Sequence, residues 1–596
     1  MFHGLIEVAF NEITIITAIH NIKSNHGAQT AGIDEVKMDR YLQMDKGKLI
    51  RLVKHQVRNY LPKPVRRVYI EKSDGKKRPL GIATVLDRII QECIRIIIEP
   101  IAEAKFYPHS YGFRPYRACK HAVKEVTRMI ANGKNNKAVF AIEGDIKGYF
   151  DNINHRKLCR KLWNIGIHDK RVIAIIKKML KAGYVENDLY NISETGLAQG
   201  AVFSPLLANI YLNSFDWLVG RMYHLPRKHC QSGSSDRTRL RNKGVVPKYL
   251  TRYADDWIIL TTTHQEAERL LKYLNKYFKH RLKIELSEKK TLITDLREKP
   301  AKFLGFMINA AKAREEPGKK NRPIVGKAYP NPEKVKQQIR KISAEIKKLW
   351  TTPVKEKAAQ IEEINAIIIG VAEYWKTSIC NNTFRKIDEG VKQSAFHTFK
   401  RIYPQNFKQY EKPLKLLSNR PQRHKKYESK TFAINYHNQW IGITKAFITH
   451  SQWVKYPYNQ RVTPYTEEGR RLYIRQSKDQ KRLPLARPTL TDVDTVNQPS
   501  PIYNFEYMMN REYAFNRDRG KCKICGKPLI TNNRHCHHIN DIPIGKINKV
   551  YNLAWLCLKC DGYVHGKPIP KNLNPNISKK IKKYRTKLGM KLPQAQ

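Results

Sequence analysis

The chain has 596 residues, too many for a single core and enough for on the order of three to five domains. Its 112 Lys and Arg against 52 Asp and Glu give a formal net charge of +60, which strains a compact protein by self-repulsion unless a polyanion neutralises it. Hydrophobic residues make up 41% and exclude a disordered basic tail, and no apolar run approaches the roughly 20 residues of a membrane-spanning helix.

Nucleic acid, and a long one, is the partner this charge calls for. Residues 1 to about 60 read as mainly helical, with a turn at Gly32. Glu7 and Glu12 stand where a signal peptide would need a basic region, so none is expected. A strand is expected at 65–70, then a hairpin turn loaded with cations, from Lys72 to Arg78, and then Pro79-Leu80-Gly81-Ile82. Such a turn is either a solvated surface or a grip on phosphates. Residues 85–99 form an apolar helix that stops at Pro100, and 118–131 a second helix. Residues 138–142 have the pattern of a buried strand and lead into Asp145; an Asp ending such a strand needs a partner or an ion. The segment 196–205 begins flexible and enters an apolar helix at 206–212, and 221–244 reads as a basic insertion loop.

Tyr253-Ala254-Asp255-Asp256 lies between two strand-prone flanks, so it belongs to a β-hairpin with the Asp pair at or near its turn. Adjacent carboxylates repel each other unless a cation sits between them, an arrangement that can hold Mg²⁺ against a triphosphate. Asp is also a common turn residue. Short strands are expected at 284–287 and 303–308. Asn331 then caps a helix whose stripe is Val335, Ile339, Ile342, Ile346 and Leu349. A second helix follows at about 356–378. Residues 412 to about 500 mix cations and aromatics without clear periodicity, which suits strand binding, and 483–501 reads as a linker.

Cys93, Cys119, Cys159, Cys230 and Cys380 are scattered and expected to be buried and reduced. Cys522-x2-Cys525 and Cys557-x2-Cys560 have the spacing of a four-thiolate zinc site in a reducing compartment. His537, His538, Asn552 and His565 lie between and after the two pairs, and a purely structural zinc ribbon is the plainer reading of that cluster.

The order of these segments resembles the reverse transcriptase encoded by a group II intron, also called a maturase. Residues 144–151, Gln199-Gly200, 253–256 and 303–308 fall in that family's order, as do 76–82 and 111–115. One departure is Ala198, where the family usually has Pro. The resemblance implies an α+β multidomain chain. Its parts would be an N-terminal helical extension (1–60), right-hand polymerase fingers and palm with an antiparallel sheet (61–315), an α-helical thumb/maturase domain (330–450), a DNA-binding segment and linker (451–505), a small zinc-stapled ββα-metal nuclease of the HNH kind (506–570) and a basic tail (571–596).

In the polymerase, the resemblance implies that Asp145, Asp255 and Asp256 hold two Mg²⁺ ions, that Lys76 and Arg78 hold the dNTP triphosphate, and that Gln199 touches the nucleotide. Phe150 stands where the family has its gate against a ribose 2′-hydroxyl. In the nuclease, His537 would bind a divalent cation, His538 would act as general base and Asn552 would orient it. The family commonly has His directly after the last Cys; here Asp561 takes that place, one helical turn before His565. His537, Asp561 and His565 are then the ligands of a Mg²⁺-preferring site, and the zinc on the four Cys is structural. The implied function is RNA-directed DNA synthesis, assistance to splicing of the bound intron RNA, and nicking of target DNA to prime reverse transcription. The implied compartment is a bacterial cytoplasm or an organellar matrix, with no membrane and no secretion, and a homodimer is left open. Two rivals are a polymerase-nuclease of a defence system and an RNA-binding splicing chaperone without polymerase activity; the presence of all three Asp argues against the second.

Overall fold

Asn11 caps the helix Glu12–Lys23 by accepting from Thr14 N, and Asp45 caps Lys46–Arg58 by accepting from Lys48 N. Ile15, Ile16, Ile19 and Ile22 lie on the buried side of the first helix, which packs on the helix Val85–Glu103. The computed structural model describes residues 1–596 apart from 26, 72–74, 76, 132–136, 227–233, 314–322, 477–501, 531–532, 541, 571 and 589–596. Val85–Glu103 runs through Pro100 instead of stopping before it. A proline this close to the helix end removes only one backbone bond, and buried Ile98 and Ala102 keep the last turn docked.

One four-stranded sheet has the order β2-β1-β4-β5, with β1 Val65–Glu71, β2 Lys77–Ile82, β4 Tyr184–Glu186 and β5 Leu189–Asn191. β1 and β2 flank the expected cationic turn, of which residues 72–74 and Lys76 lie outside the described residues. A second, antiparallel sheet has the order β6-β7-β3-β8, with β3 Phe140–Gly144, β6 Lys248–Tyr253, β7 Asp256–Thr261 and β8 Leu292–Asp295. Both of its faces are covered. Ile142, Leu250, Trp257 and Ile259 join one core, and Ala141, Tyr249, Ile258 and Leu260 join another. That is why 257–260 reads as an unbroken apolar run rather than an alternation.

Several expectations change. The helix expected at 206–212 extends over Ser204–Met222. The loop expected at 221–244 contains the helix Ser234–Asn242, with 227–233 outside the described residues. Residues 284–287 form no strand; Leu286 makes one isolated bridge to Ile146. The strand expected at 303–308 is a hairpin, β9 Ala301–Phe303 and β10 Phe306–Lys312. Leu304 and Gly305 both have positive φ at its turn. β11 Ile324–Pro330 pairs with β10 over its whole length, so a boundary at 315 cuts a hairpin. Of the scattered cysteines, Cys93 and Cys380 are buried, Cys119 and Cys159 are half-buried, and Cys230 lies outside the described residues.

Asn331 caps Pro332–Lys348 with two accepted bonds, and Val335, Ile342, Ile346 and Leu349 are buried, with Ile339 partly so. Lys357–Trp375 and Asn381–Ile402 complete the helical layer. The aperiodic stretch after 411 holds a three-stranded sheet, β12 Glu411–Pro413, β13 Lys430–Tyr436 and β14 Gln439–Gly442. The expected linker at 483–501 lies outside the described residues. Last come the helix Phe505–Arg517, the antiparallel pair β15 His535–His538 and β16 Leu553–Leu556, and the helices Leu558–Val564 and Pro575–Lys587. This C-terminal module packs on the N-terminal helices: Phe505 and Met509 enter the same core as Leu42 and Ile22. Among the described residues no helix is long and apolar enough to cross a membrane.

A buried ion pair joins the helix Ser204–Met222 to β6. Arg252 Nε and Nη2 donate to the two Asp216 carboxylate oxygens at 2.7 and 2.6 Å, with 1% and 0% of the side chains exposed. Arg252 Nη1 also donates to Asn209 Oδ1 at 3.0 Å and to Ala254 O at 2.6 Å. Substituting Arg252→Met leaves Asp216 buried without its cation, and breaking such a pair costs about 3–5 kcal/mol. Arg252→Lys should recover little, because one ammonium cannot reproduce the fork. Denaturant melts of both variants check this; a midpoint equal to wild type for Arg252→Met would overturn it.

Candidate active sites

The hairpin β6–β7 closes with a two-residue turn. Tyr253 pairs with Asp256, so Ala254 and Asp255 are the turn itself. Ala254 has φ 58°, a conformation that costs a residue with a Cβ, and the Arg252 bond to its carbonyl holds it there. Segment 109–112 runs alongside: Tyr111 N donates to Arg252 O at 2.8 Å and Arg252 N to His109 O at 3.0 Å. A Cβ on Gly112 would stand 2.2 Å from Ala254 N, so only glycine admits this approach. Asp145 sits just past β3, where Ser287 N donates to its carbonyl at 2.8 Å.

Arg78, Asp145, Phe150, Gln199, Asp255 and Lys290 line one cleft of about 880 Å³. Arg78 is on β2, opposite Ile70. Gln199 lies in a segment clamped on both sides despite Ala198: Gly81 N donates to its carbonyl at 2.7 Å, and Leu197 N donates to Phe150 O at 2.7 Å. The Phe150 ring lines the cleft while meeting Phe113 edge-on at 6.5 Å. Asp256 stands behind the turn at the start of β7, and its Oδ2 accepts from Leu304 N at 3.3 Å. Leu304 and Gly305 are held in turn by Tyr374 Oη, 2.8 Å from Leu304 O, and Trp375 Nε1, 3.2 Å from Gly305 O.

Burial pushes the Asp256 carboxyl up to about 7; Leu304 N opposes the shift, and the neighbouring Asp255, Asp145 and Glu143 charges add to it. Asp255 is raised too, first by burial and then by Asp145. Three carboxylates held where they repel one another fit divalent cations. Lys290 is a residue the sequence reading missed. Its ammonium is 3.0 Å from Asp145 Oδ2, a contact across 145 positions that leaves no local signal.

In the C-terminal module the sulfurs of Cys522, Cys525, Cys557 and Cys560 lie within 4.8 Å of one another. Cys525 and Cys557 are 3.8 Å apart, and four sulfurs about 2.3 Å from a zinc stand about 3.8 Å apart, so the set fits zinc. Beside it, β15 and the helix Leu558–Val564 bring His537, Asp561 and His565 into one group. His537 Nδ1 is 3.4 Å from Asp561 Oδ1 and 3.2 Å from His565 Nε2. His537 Nε2 and Asp561 Oδ1 are buried without a hydrogen-bond partner among the described residues, and orphaned atoms of this kind fit a cation. His535, also missed in the sequence, approaches Asp561 Oδ2 at 3.2 Å. Although burial opposes it, contacts from His535 and His537 hold the Asp561 carboxyl well below the usual range.

The expected role of Asn552 needs correcting. Its side chain is wholly buried and bonds to the backbone of Asn540 and Ile547, which pins the loop between β15 and β16. The amide beside His538 is Asn548, with Oδ1 2.8 Å from Nε2 of the ring. A third polar group, His109, Glu125 and His224, is buried. Glu125 is already paired with Arg128 at 2.7 Å, and burial followed by nearby arginines pushes the His109 imidazole down to about 3. It is polar packing behind 109–112 rather than an ion site.

Residues 70–308 match the family model described as reverse transcriptase, an RNA-dependent DNA polymerase. The chain is 36% identical over 414 residues to the group II intron-encoded protein LtrA of Lactococcus lactis subsp. cremoris, covering 61% of this chain and 67% of that protein. It is 34% identical over 282 residues to protein YkfC of Escherichia coli, covering 45% and 74% of the two chains. It is 31% identical over 337 residues to an uncharacterized 91 kDa protein in the cob intron of Schizosaccharomyces pombe, covering 51% and 41%. A reverse-transcriptase match across β2, β3, β6 and β7, joined to this identity over two thirds of an intron-encoded relative, means that the chain belongs to the family of group II intron-encoded reverse transcriptases, the maturases.

Proposed function

We propose that this chain copies RNA into DNA at the cleft between Arg78 and Asp255. One observation carries the reading: Arg78, Asp145, Phe150, Gln199 and Asp255 come from four separate segments and line a single cavity. In this reading Asp145, Asp255 and Asp256 hold two Mg²⁺ ions. Bound there, the ions supply charge neutralisation at the transferring phosphoryl group and a more acidic primer 3′-hydroxyl. Arg78 binds the dNTP triphosphate together with Lys76, which lies outside the described residues. Gln199 meets the nucleotide from its clamped segment, and Phe150 fills the space that a ribose 2′-hydroxyl would need. Lys290 holds one oxygen of Asp145.

Residues 61–315 with β11 added are then fingers and palm, and 330–450 the thumb and maturase domain. The name of LtrA ties that relative to a group II intron, and we extend the tie to this chain: it binds its own intron RNA and assists its splicing. A net charge of +60 suits a partner of that length. Trp453 and Tyr456 are 59% and 80% exposed beside Lys455, which suits stacking on a DNA strand and supports a DNA-binding role for 451–505. The proposed compartment is a bacterial cytoplasm or an organellar matrix.

A second activity, nicking of target DNA to supply the primer, is favoured by the ββα arrangement of β15, β16 and Leu558–Val564. His537, Asp561 and His565 hold the divalent cation in this reading, His538 takes the proton from water, and the four cysteines hold a structural zinc.

Asp255→Asn should abolish primer extension on an RNA template, with a loss of several orders of magnitude, while filter binding of RNA stays near wild type. Substantial extension by the variant would sink the polymerase assignment. Phe150→Val should admit ribonucleotides, read as the ratio of NTP to dNTP incorporation; unchanged discrimination returns Phe150 to packing alone. For the nuclease, wild type should nick a DNA duplex with Mg²⁺ and Asp561→Ala should be strongly impaired. Equal nicking by Asp561→Ala removes Asp561 from the ligand set, and a wild type that is silent where Asp561→His nicks shows a decayed site.

A further inference from the structure

We infer that a groove between two helices of the thumb and maturase domain holds an unpaired stretch of the bound intron RNA, with one base stacked at Trp350 and Arg401; this rests on the RNA-binding reading above. The helices Pro332–Lys348 and Asn381–Ile402 meet at Ile339 and Gly390, at Ser343 and Ser394, and, just past the end of the first, at Trp350 and Arg401. Each pair is 51 positions apart, so the two helices run parallel and in register. Small residues bring them close: a Cβ on Gly390 would stand 2.7 Å from Ile339 Cγ2, and Ser394 Oγ donates to Ser343 O at 3.3 Å. The same residues line a groove of about 680 Å³, about 16 Å long from Ile339 to Trp350. At its end the Arg401 guanidinium stands 3.4 Å from the Trp350 ring centroid, and 47% of Trp350 is still exposed.

The walls of the groove select its occupant. Lys347, His397 and Arg401 stand on them, and among the described residues no carboxylate does. Such walls attract a phosphodiester chain. Indole rings and guanidinium planes are both surfaces on which nucleobases stack, and a base would cover the apolar area that Arg401 leaves exposed on Trp350. Packed helices lie about 8–10 Å apart, a width that admits one strand and excludes a duplex. At about 3.4 Å per stacked nucleotide, the groove holds four or five. Gln393 and His397 are exposed and one helical turn apart on the wall. They offer hydrogen bonds to a ribose 2′-hydroxyl, the group that separates RNA from DNA. The catalytic cleft lies elsewhere. Among the described residues none of this helical layer lines it, and the layer meets the palm through Tyr374 and Trp375. The groove therefore suits RNA that is bound rather than RNA that is being copied.

The test is binding of a short oligoadenylate carrying 2-aminopurine to the full-length chain, read as affinity across a salt series and as quenching of the 2-aminopurine by stacking. Trp350→Ala should weaken binding about tenfold, the loss of one stacked base, and should reduce the quenching, with the slope of log affinity against log salt unchanged. Trp350→Phe, which keeps a ring, should recover most of both. Lys347→Met should act differently: the slope becomes shallower by about one and the quenching stays. The matching oligodeoxyadenylate should bind wild type more weakly and lose less in Trp350→Ala. Wild-type affinity and quenching in Trp350→Ala overturn the inference and leave the RNA-binding reading standing. Equal losses on RNA and DNA mark a general single-strand groove and overturn the assignment to RNA. A rise in KM for a primer–template that matches the loss of oligoadenylate binding gives the groove to the copied strand and overturns it too. A wild type that binds a structured RNA but not the oligoadenylate overturns the inference alone; one that binds neither ends the RNA-binding reading as well.

Discussion

The polymerase half depends on the Arg252–Asp216 pair. Both side chains are buried from solvent, so each charge is tolerable only because the other is there, and the guanidinium's remaining donors go to Asn209 and the Ala254 carbonyl. The pair therefore does two things at once. It ties the helix Ser204–Met222 to the central sheet, and it holds the strained residue that presents Asp255. Rigidity at the turn comes from behind it, and Asp145 and Asp255 line the cleft in front.

A layered support surrounds that hub. Asp256 is steered by Leu304 N, and Leu304 by Tyr374 and Trp375 of the helix Lys357–Trp375. The helical layer is thus connected to a carboxylate through the Leu304–Gly305 turn. Phe150 and Gln199 are linked similarly through Leu197 N, so the residue that would test the sugar and the one that would touch the nucleotide share a backbone connection.

Much of this was legible in the sequence, and the reasons are physical. The hairpin at 253–256 was visible because strand-forming flanks bracket a polar pair, and the four-cysteine cluster because paired cysteines at fixed spacing are rare by accident. Helix starts were visible where a cap exists, as at Asn331. What stayed hidden depends on contacts between distant positions. Lys290 and His535 are ordinary charged residues until folding sets them beside Asp145 and Asp561. Asn552 and Asn548 stand four residues apart and could not be told apart by type, so the wrong one was assigned to His538. The helix through Pro100 and the hairpin within 303–308 were missed because a local breaker or an apolar run was allowed to outweigh the packing that decides both.

The docking of the C-terminal module on residues 23–44 bears on how the protein is made. The helices at residues 12–42 leave the ribosome well before the C-terminal module: Asn504, Glu506, Asn510 and Lys549, which complete their polar surface, are translated more than 450 residues later. At about 5–20 residues per second, that surface stays open for tens of seconds. The surface closes only once the C-terminal module has been made. The C-terminal module is thereby fastened down only on a chain whose reverse-transcriptase region has already been synthesised.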